Sequence, residues 1–186
     1  DLEQKIKRYR KRRRYVDEPV VWAALCQIAS ALRCLHSKGV LHRDIKSANC
    51  FIDATGRIKL GDMNVSKCMK DGLLKTQIGT PYYMSPEIWR NLPYGDKSDM
   101  WALGCVIYEL CALQPPFAGT NFEELSHQVQ RGYCPRIPPA YSDELWSVVQ
   151  ALLTVSVGKR PSAEQLLQHE LDALLLVPAE LVGQAK

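Results

Sequence analysis

The sequence predicts a mainly helical α+β domain, a bundle of helices that carries one small hairpin with polar groups at its ends. Three stretches predict it. "VDEPVVWAALCQIASALRCLHSKG" repeats apolar residues at helical spacing through Val21, Leu25, Ile28, Leu32 and Leu35. "CFI" and "RIKL" flank the turn-forming "DATG". "SDMWALGCVIYELCAL" is a mostly apolar helix closed by "PPFAG". With 186 residues, 46% hydrophobic and 24% charged, the chain can bury a substantial core.

Taken in order, the elements begin with a basic run. Residues 1–14 hold eight Lys or Arg against Asp1 and Glu3, a local charge of +6, while the whole chain sums to +4. "KIKRYRKRRR" reads first as a solvated loop or helix face; a nucleic acid, an acidic membrane or a nuclear import receptor are its other readings. The first long helix follows, with Asp17 at its N-cap, Pro19 in its first turn and Gly39 ending it. The hairpin comes next, with Asn49 just before its first strand and Asp62 just after its second, so the two are brought together in space. Residues 63–86 lack periodicity and read as a long loop, a length that marks functional segments. Beyond the apolar helix, weaker helices are predicted over 121–131, 142–154 and 162–169, with Ser142 and Ser162 as N-caps. No internal repeat is visible, and residues 170–186 read as a helical tail ending near Pro178.

Composition excludes several classes. The seven cysteines, at 26, 34, 50, 68, 105, 111 and 134, are odd in number and form no C-x-x-C pair. Reduced thiols fit them better than zinc or a disulfide framework. No apolar run approaches the ~20 residues that span a bilayer, and the charged first residues do not read as a secretion signal.

The chemistry concentrates in "LHRDIKSANCFI" and, ten residues on, "LGDMNVSK". Asp44, Lys46, Asn49 and Asp62 stand beside apolar residues, where burying charge is costly without a partner. "HRDIKSAN" resembles the catalytic loop of eukaryotic protein kinases, and "GDM" resembles their magnesium-binding D-F-G. "GTPYYMSPE" is similar to the end of the activation segment, "KSDMWALGCVIYELCALQPPF" to the buried helix after it, and "KRPS" to the late Arg-containing motif. The motifs keep the family's order across nearly the whole chain. "GTPYYMSPEIW", "PYGDKSDMWALGCVIYELCALQPPF" and "IPPAYSDELW" are most similar to the NIMA-related (Nek) serine/threonine kinases.

The resemblance implies an α+β protein-kinase-like fold, seen here as the mainly helical C-terminal lobe with its β-hairpin. It implies ATP and Mg²⁺ as cofactors and protein Ser/Thr hydroxyls as acceptors. Asp44 would orient the hydroxyl and accept its proton, Lys46 would neutralise the γ-phosphate, and Asn49 and Asp62 would hold Mg²⁺. His42 resembles a structural residue, as do Asp99 and Trp101; Glu87 and Arg160 resemble the family's buried ion pair. Thr76 would be the activating phosphosite, paired through its phosphate with Arg43. Thr80 would form the substrate platform, and Val65 leans the acceptor preference toward threonine.

Two departures stand out. Met63 and Asn64 replace the usual Phe and Gly; Asn tolerates left-handed backbone next best after Gly, and the metal-binding Asp62 is kept. The chain also holds no G-x-G-x-x-G and no strand lysine for the nucleotide phosphates, so it reads as a fragment or a truncated product lacking the N-terminal lobe, with weak ATP binding by itself. On that reading, residues 1–170 are the kinase portion, with 1–16 following the hinge and 62–87 the activation segment, and 171–186 are a tail. Cytoplasmic residence, with nuclear, centrosomal or ciliary sites by resemblance, is expected. The competing reading is a catalytically inactive kinase-like binding module.

Overall fold

A computed structural model describes residues 1–62 and 81–174, with side chains to residue 168. The basic run is a helix, α1 (Leu2–Arg12), where the sequence favoured no element. Lys and Arg are good helix formers, and Leu2 and Ile6, one turn apart, give the helix a narrow apolar stripe that is fully buried. Asp1 caps its first turn, its Oδ1 accepting from the Gln4 N–H at 2.8 Å.

α2 (Glu18–His36) is the predicted long helix, with Pro19 in its first turn as expected. Asp17 occupies the N-cap position but makes no side-chain cap hydrogen bond. By length and apolarity α2 alone among the described helices would suit a bilayer. Its Val21, Leu25, Ile28 and Leu32 are instead buried in the protein core, where α2 packs on the later helices Asp96–Ala112 and Ala163–Leu174 and on the strand Ile58–Leu60.

The hairpin pairs β1 (Cys50–Ile52) with β2 (Ile58–Leu60) antiparallel, Cys50 opposite Leu60 and Ile52 opposite Ile58. A tether from the Ile58 N–H to Gln27 Oε1, 2.7 Å, fixes it to α2. The short helix α3 (Pro86–Trp89) lies at the end of the stretch expected to be loop. α4 (Asp96–Ala112) starts two residues earlier than its apolar pattern suggested, and it is buried along nearly its whole length. Gly104 is required there: a Cβ at this position would stand 2.8 Å from the Leu152 side chain, so it sets how closely α4 meets α6.

α5 (Phe122–Arg131) and α6 (Asp143–Leu152) match expectation, capped by the side chains of Asn121 and Ser142. α7 (Ala163–Leu174) runs further than predicted. Ser162 and Gln165 cap its start reciprocally, at 3.1 and 2.9 Å. Of the cysteines, Cys50, Cys105, Cys111 and Cys134 are buried free thiols, Cys26 is half-buried and Cys34 is exposed; Cys68 lies outside the described residues, as do the tail from 175 on and its predicted end near Pro178.

Candidate active site

α2, the loop 37–46 and a 3-10 turn (Ser47–Asn49) carry the polar cluster up to the hairpin. Asp44 lies at its centre with its carboxylate partly exposed. Lys46 Nζ sits 3.1 and 3.3 Å from the two Asp44 oxygens. Asn49 Nδ2 donates to the Asp44 carbonyl at 2.8 Å and to Asp44 Oδ2 at 3.1 Å. With its amide nitrogen committed to Asp44, the side-chain oxygen of Asn49 is the atom of this residue suited, as a hard oxygen, to a cation.

The hairpin delivers Asp62 to the same place. Gly61 N–H donates to the Asn49 carbonyl at 3.0 Å, so Asp62 follows directly on the segment bound to Asn49. Gly61 itself is pinned against the Phe51 ring, 2.6 Å from where a Cβ would stand. Asp62 is exposed and takes φ 53°, the left-handed region that non-glycine residues avoid.

Below this surface Asp99, wholly buried near the start of α4, holds the loop from beneath. Its oxygens accept from the backbone N–H of His42 and of Arg43, each at 3.0 Å. Tyr94 Oη donates to Oδ1 at 2.5 Å, and the His36 ring Nε2 stands 2.9 Å from Oδ2. Burial pushes the Asp99 carboxyl up, but hydrogen bonds from His36, Tyr94, His42 and Arg43 outweigh it and hold it below the usual carboxylate range. Arg43, between these contacts and Asp44, has φ 67°. Asp99 thus secures a left-handed backbone directly before Asp44. His42 is buried, and burial pushes its imidazole down against the opposing charges of Asp99, Asp44 and Asp62. It lies in the interior, as the sequence suggested.

Two further networks flank the loop. Arg160 grips Glu87 with Nη1 on Oε1 at 2.8 Å and Nη2 on Oε2 at 3.1 Å, and its guanidinium stacks 5.0 Å over Trp101. Tyr83 Oη donates to Glu109 Oε2 at 2.6 Å and lies 3.0 Å from Ser47 Oγ in the 3-10 turn. Sequence reasoning passed over Glu109, Tyr83, Tyr94 and His36. Their signal was faint: Glu109 and Tyr94 are polar groups within or just before an apolar helical run, a pattern that calls for a buried partner.

The predicted site residues Asp44, Lys46, Asn49 and Asp62 therefore come together, with Arg43 beside them. Thr76, Thr80, Val65, Met63 and Asn64 lie outside the described residues. No cluster of three or more His, Cys, Asp or Glu suited to a metal occurs among the described residues. An amide oxygen beside one carboxylate fits Mg²⁺ nonetheless, because this ion keeps several waters and takes further oxygens from a substrate's phosphates.

Residues 2–171 match the family described as protein kinase domain. The chain is 44% identical over 173 residues to the probable serine/threonine-protein kinase nek2 of Dictyostelium discoideum, covering 91% of this chain and 41% of that protein. It is 41% identical over 183 residues to human serine/threonine-protein kinase Nek2, 95% of this chain and 41% of the relative, and 42% identical over 172 residues to mouse Nek5, 91% and 27%. The chain thus spans 41% or less of the length of these curated relatives.

Proposed function

This chain belongs to the protein kinase family, and from that premise we propose that it carries the acceptor side of a serine/threonine kinase site, as the C-terminal lobe of a Nek-like enzyme. The reaction transfers the γ-phosphate of Mg-ATP to a Ser or Thr hydroxyl of a protein. The acceptor oxygen bonds to the γ-phosphorus, the bond from that phosphorus to the β–γ bridging oxygen breaks, and ADP leaves. Asp44 orients the hydroxyl and takes its proton. Lys46, already on the Asp44 carboxylate, neutralises charge on the transferred group. Asn49 and Asp62 would hold Mg²⁺, which would supply charge neutralisation for the phosphate oxygens. The cradle for the nucleotide's other face belongs to an N-terminal lobe.

Supporting this reading above all is the setting of Asp44. Its carboxylate is 17% exposed and oriented by Lys46 and Asn49, and the buried Asp99 clamps the backbone directly before it. A carboxylate kept accessible on so fixed a backbone suits proton transfer better than packing. The same reading makes Thr76 an activating phosphosite that pairs with Arg43 and Thr80 part of the substrate platform, with Val65 favouring threonine acceptors. It places the protein in the cytoplasm, with nuclear, centrosomal or ciliary sites suggested by the resemblance to the Nek kinases.

The test is ATP–Mg²⁺-dependent phosphorylation of a generic protein substrate by the full-length gene product, with Asp44→Asn beside it. The expected loss is about 10²–10⁴-fold, with thermal stability held. Equal phosphorylation by both proteins, or none by either with Thr76 phosphorylated, removes the catalytic reading.

A further inference from the structure

The basic run of α1 is not used by the site described above, and its placement gives it a use. Of its cations, Arg10 is drawn into the fold by a hydrogen bond from Nη2 to the Leu113 carbonyl at the end of α4, and Lys7 pairs with Glu3 at 3.0 Å. Lys11, Arg12, Arg13 and Arg14 are all exposed, and none has an acidic partner among the described residues.

A helix macrodipole welcomes a cation in its last turn, but it does not call for four in succession. Nor is the next-to-last position of this run chosen for ease. Arg13 sits at φ 51°, ψ 41°, closing α1 with hydrogen bonds from Arg13 N to the Arg10 carbonyl and from Arg14 N to the Tyr9 carbonyl. Such a close usually takes Gly or Asn, because a side chain strains the left-handed backbone. Here a charged side chain is kept at that position.

The apolar stripe of Leu2 and Ile6 fastens the helix to the body, where α1 packs on the 3-10 turn Ser47–Asn49, on β1 and on α4. The cations therefore ride on a fixed support that touches the catalytic loop. α1 has 11 residues, which at helical rise is roughly 16 Å, the reach of about five residues of extended peptide. The rest of the chain carries a slight negative balance, so the positive field is local to this corner.

We propose that Lys11–Arg14 form a docking surface for an acidic segment flanking the phosphoacceptor of the protein substrate. The proposal rests on the kinase reading above and adds a substrate class to it. Exposed charge pairs are individually weak, and three or four acting together give about a 5- to 20-fold preference, which shrinks as salt rises.

The experiment uses the full-length gene product and three acceptor peptides: six Glu on the N-terminal flank, six Glu on the C-terminal flank, or six Gln. The variants are Lys11→Gln/Arg12→Gln/Arg14→Gln, which leaves the strained Arg13 alone, and the charge-keeping Lys11→Arg/Arg12→Lys/Arg14→Lys. Supporting the proposal, one Glu peptide shows the higher kcat/KM in the unaltered and charge-keeping proteins, and the preference falls to within about twofold in the Gln variant. Use of the Gln peptide should be unchanged throughout. Equal use of all three peptides by an active enzyme overturns it.

Anisotropy of a labelled six-Glu peptide is measured in parallel, with a 20-base-pair duplex DNA and phosphatidylserine vesicles as competitors. If no peptide is phosphorylated, the kinase reading has failed and binding decides alone. Binding that the Gln variant loses keeps the acidic docking surface; absent binding, or equal binding by the variant, ends it. Tighter binding to DNA or to vesicles than to the Glu peptide, lost in the same variant, reassigns the patch to that partner.

Discussion

Two buried glutamates near the loop that carries Asp44 face opposite circumstances. Glu87, on α3, meets a guanidinium: both its oxygens are taken by Arg160, and Ser98 Oγ donates to Oε1 at 2.7 Å. Burial pushes its carboxyl up, yet Arg160 and Ser98 more than offset this and it titrates below the ordinary range. Among the described residues, the hydrogen-bond partners of Glu109, on α4, are the hydroxyls of Tyr83 and Ser47. Burial dominates there, and despite the help of Tyr83, Ser47 and the Arg10 charge its carboxyl is raised. The lesson is that two hydroxyl donors do not make a buried carboxylate comfortable; a dedicated cation does, as does the fuller set of four donors around Asp99. Glu87 ties α3 to the loop before α7. Glu109 spends part of the local stability on a link between Tyr83 and the turn that carries Asn49.

The largest effect separating the two belongs to Arg160→Ala. It leaves Glu87 buried without its cation and also empties the stack over Trp101, so a loss of about 3–5 kcal/mol is expected. Urea unfolding of the full-length protein measures it, and a loss under 1 kcal/mol would show that water or Ser98 can replace the guanidinium. Tyr83→Phe comes next. It removes the 2.6 Å phenol donor from Glu109 and its contact with Ser47, at a cost of about 1–3 kcal/mol. If Tyr83→Phe proved the costlier of the two, the distinction between a paired and an unpaired carboxylate would collapse.

The ease with which these features could be read from sequence divides along the same line. The Glu87–Arg160 pair was legible only through the resemblance to the protein kinases, whereas the gathering of Asp44, Lys46, Asn49 and Asp62 followed from their close spacing and from the hairpin that joins Asn49 to Asp62. The long helices α2 and α4 were legible from apolar periodicity. α1 was not, because its stripe is only Leu2 and Ile6, two residues among the helix's six cations, and charge dominated the reading. α3 is one turn long, too short for any period to declare itself. Glu109 drew no reading of its own, because the partner that defines it, Tyr83, lies 26 positions away. Its role depends on tertiary contacts that no local pattern encodes.

The smallest effect is also the most diagnostic, because its sign differs between the two glutamates. Glu87 has a depressed folded value, so the unfolded chain binds more protons in the window below the ordinary value near 4.5. Its contribution is present above that window and is lost as pH falls through it. Glu109 is raised, so above 4.5 the folded state binds the extra proton. Its contribution is full below that value and declines as pH rises through the folded value. Glu109→Gln keeps an oxygen to accept from Tyr83 and removes the titration. The variant should therefore gain stability at pH 7 and none at pH 4. Denaturant midpoints across that range read it directly. A variant destabilised equally at both pH values would mean that the carboxylate is held by a partner charge stronger than Arg10, and the contrast with Glu87 would then be one of degree.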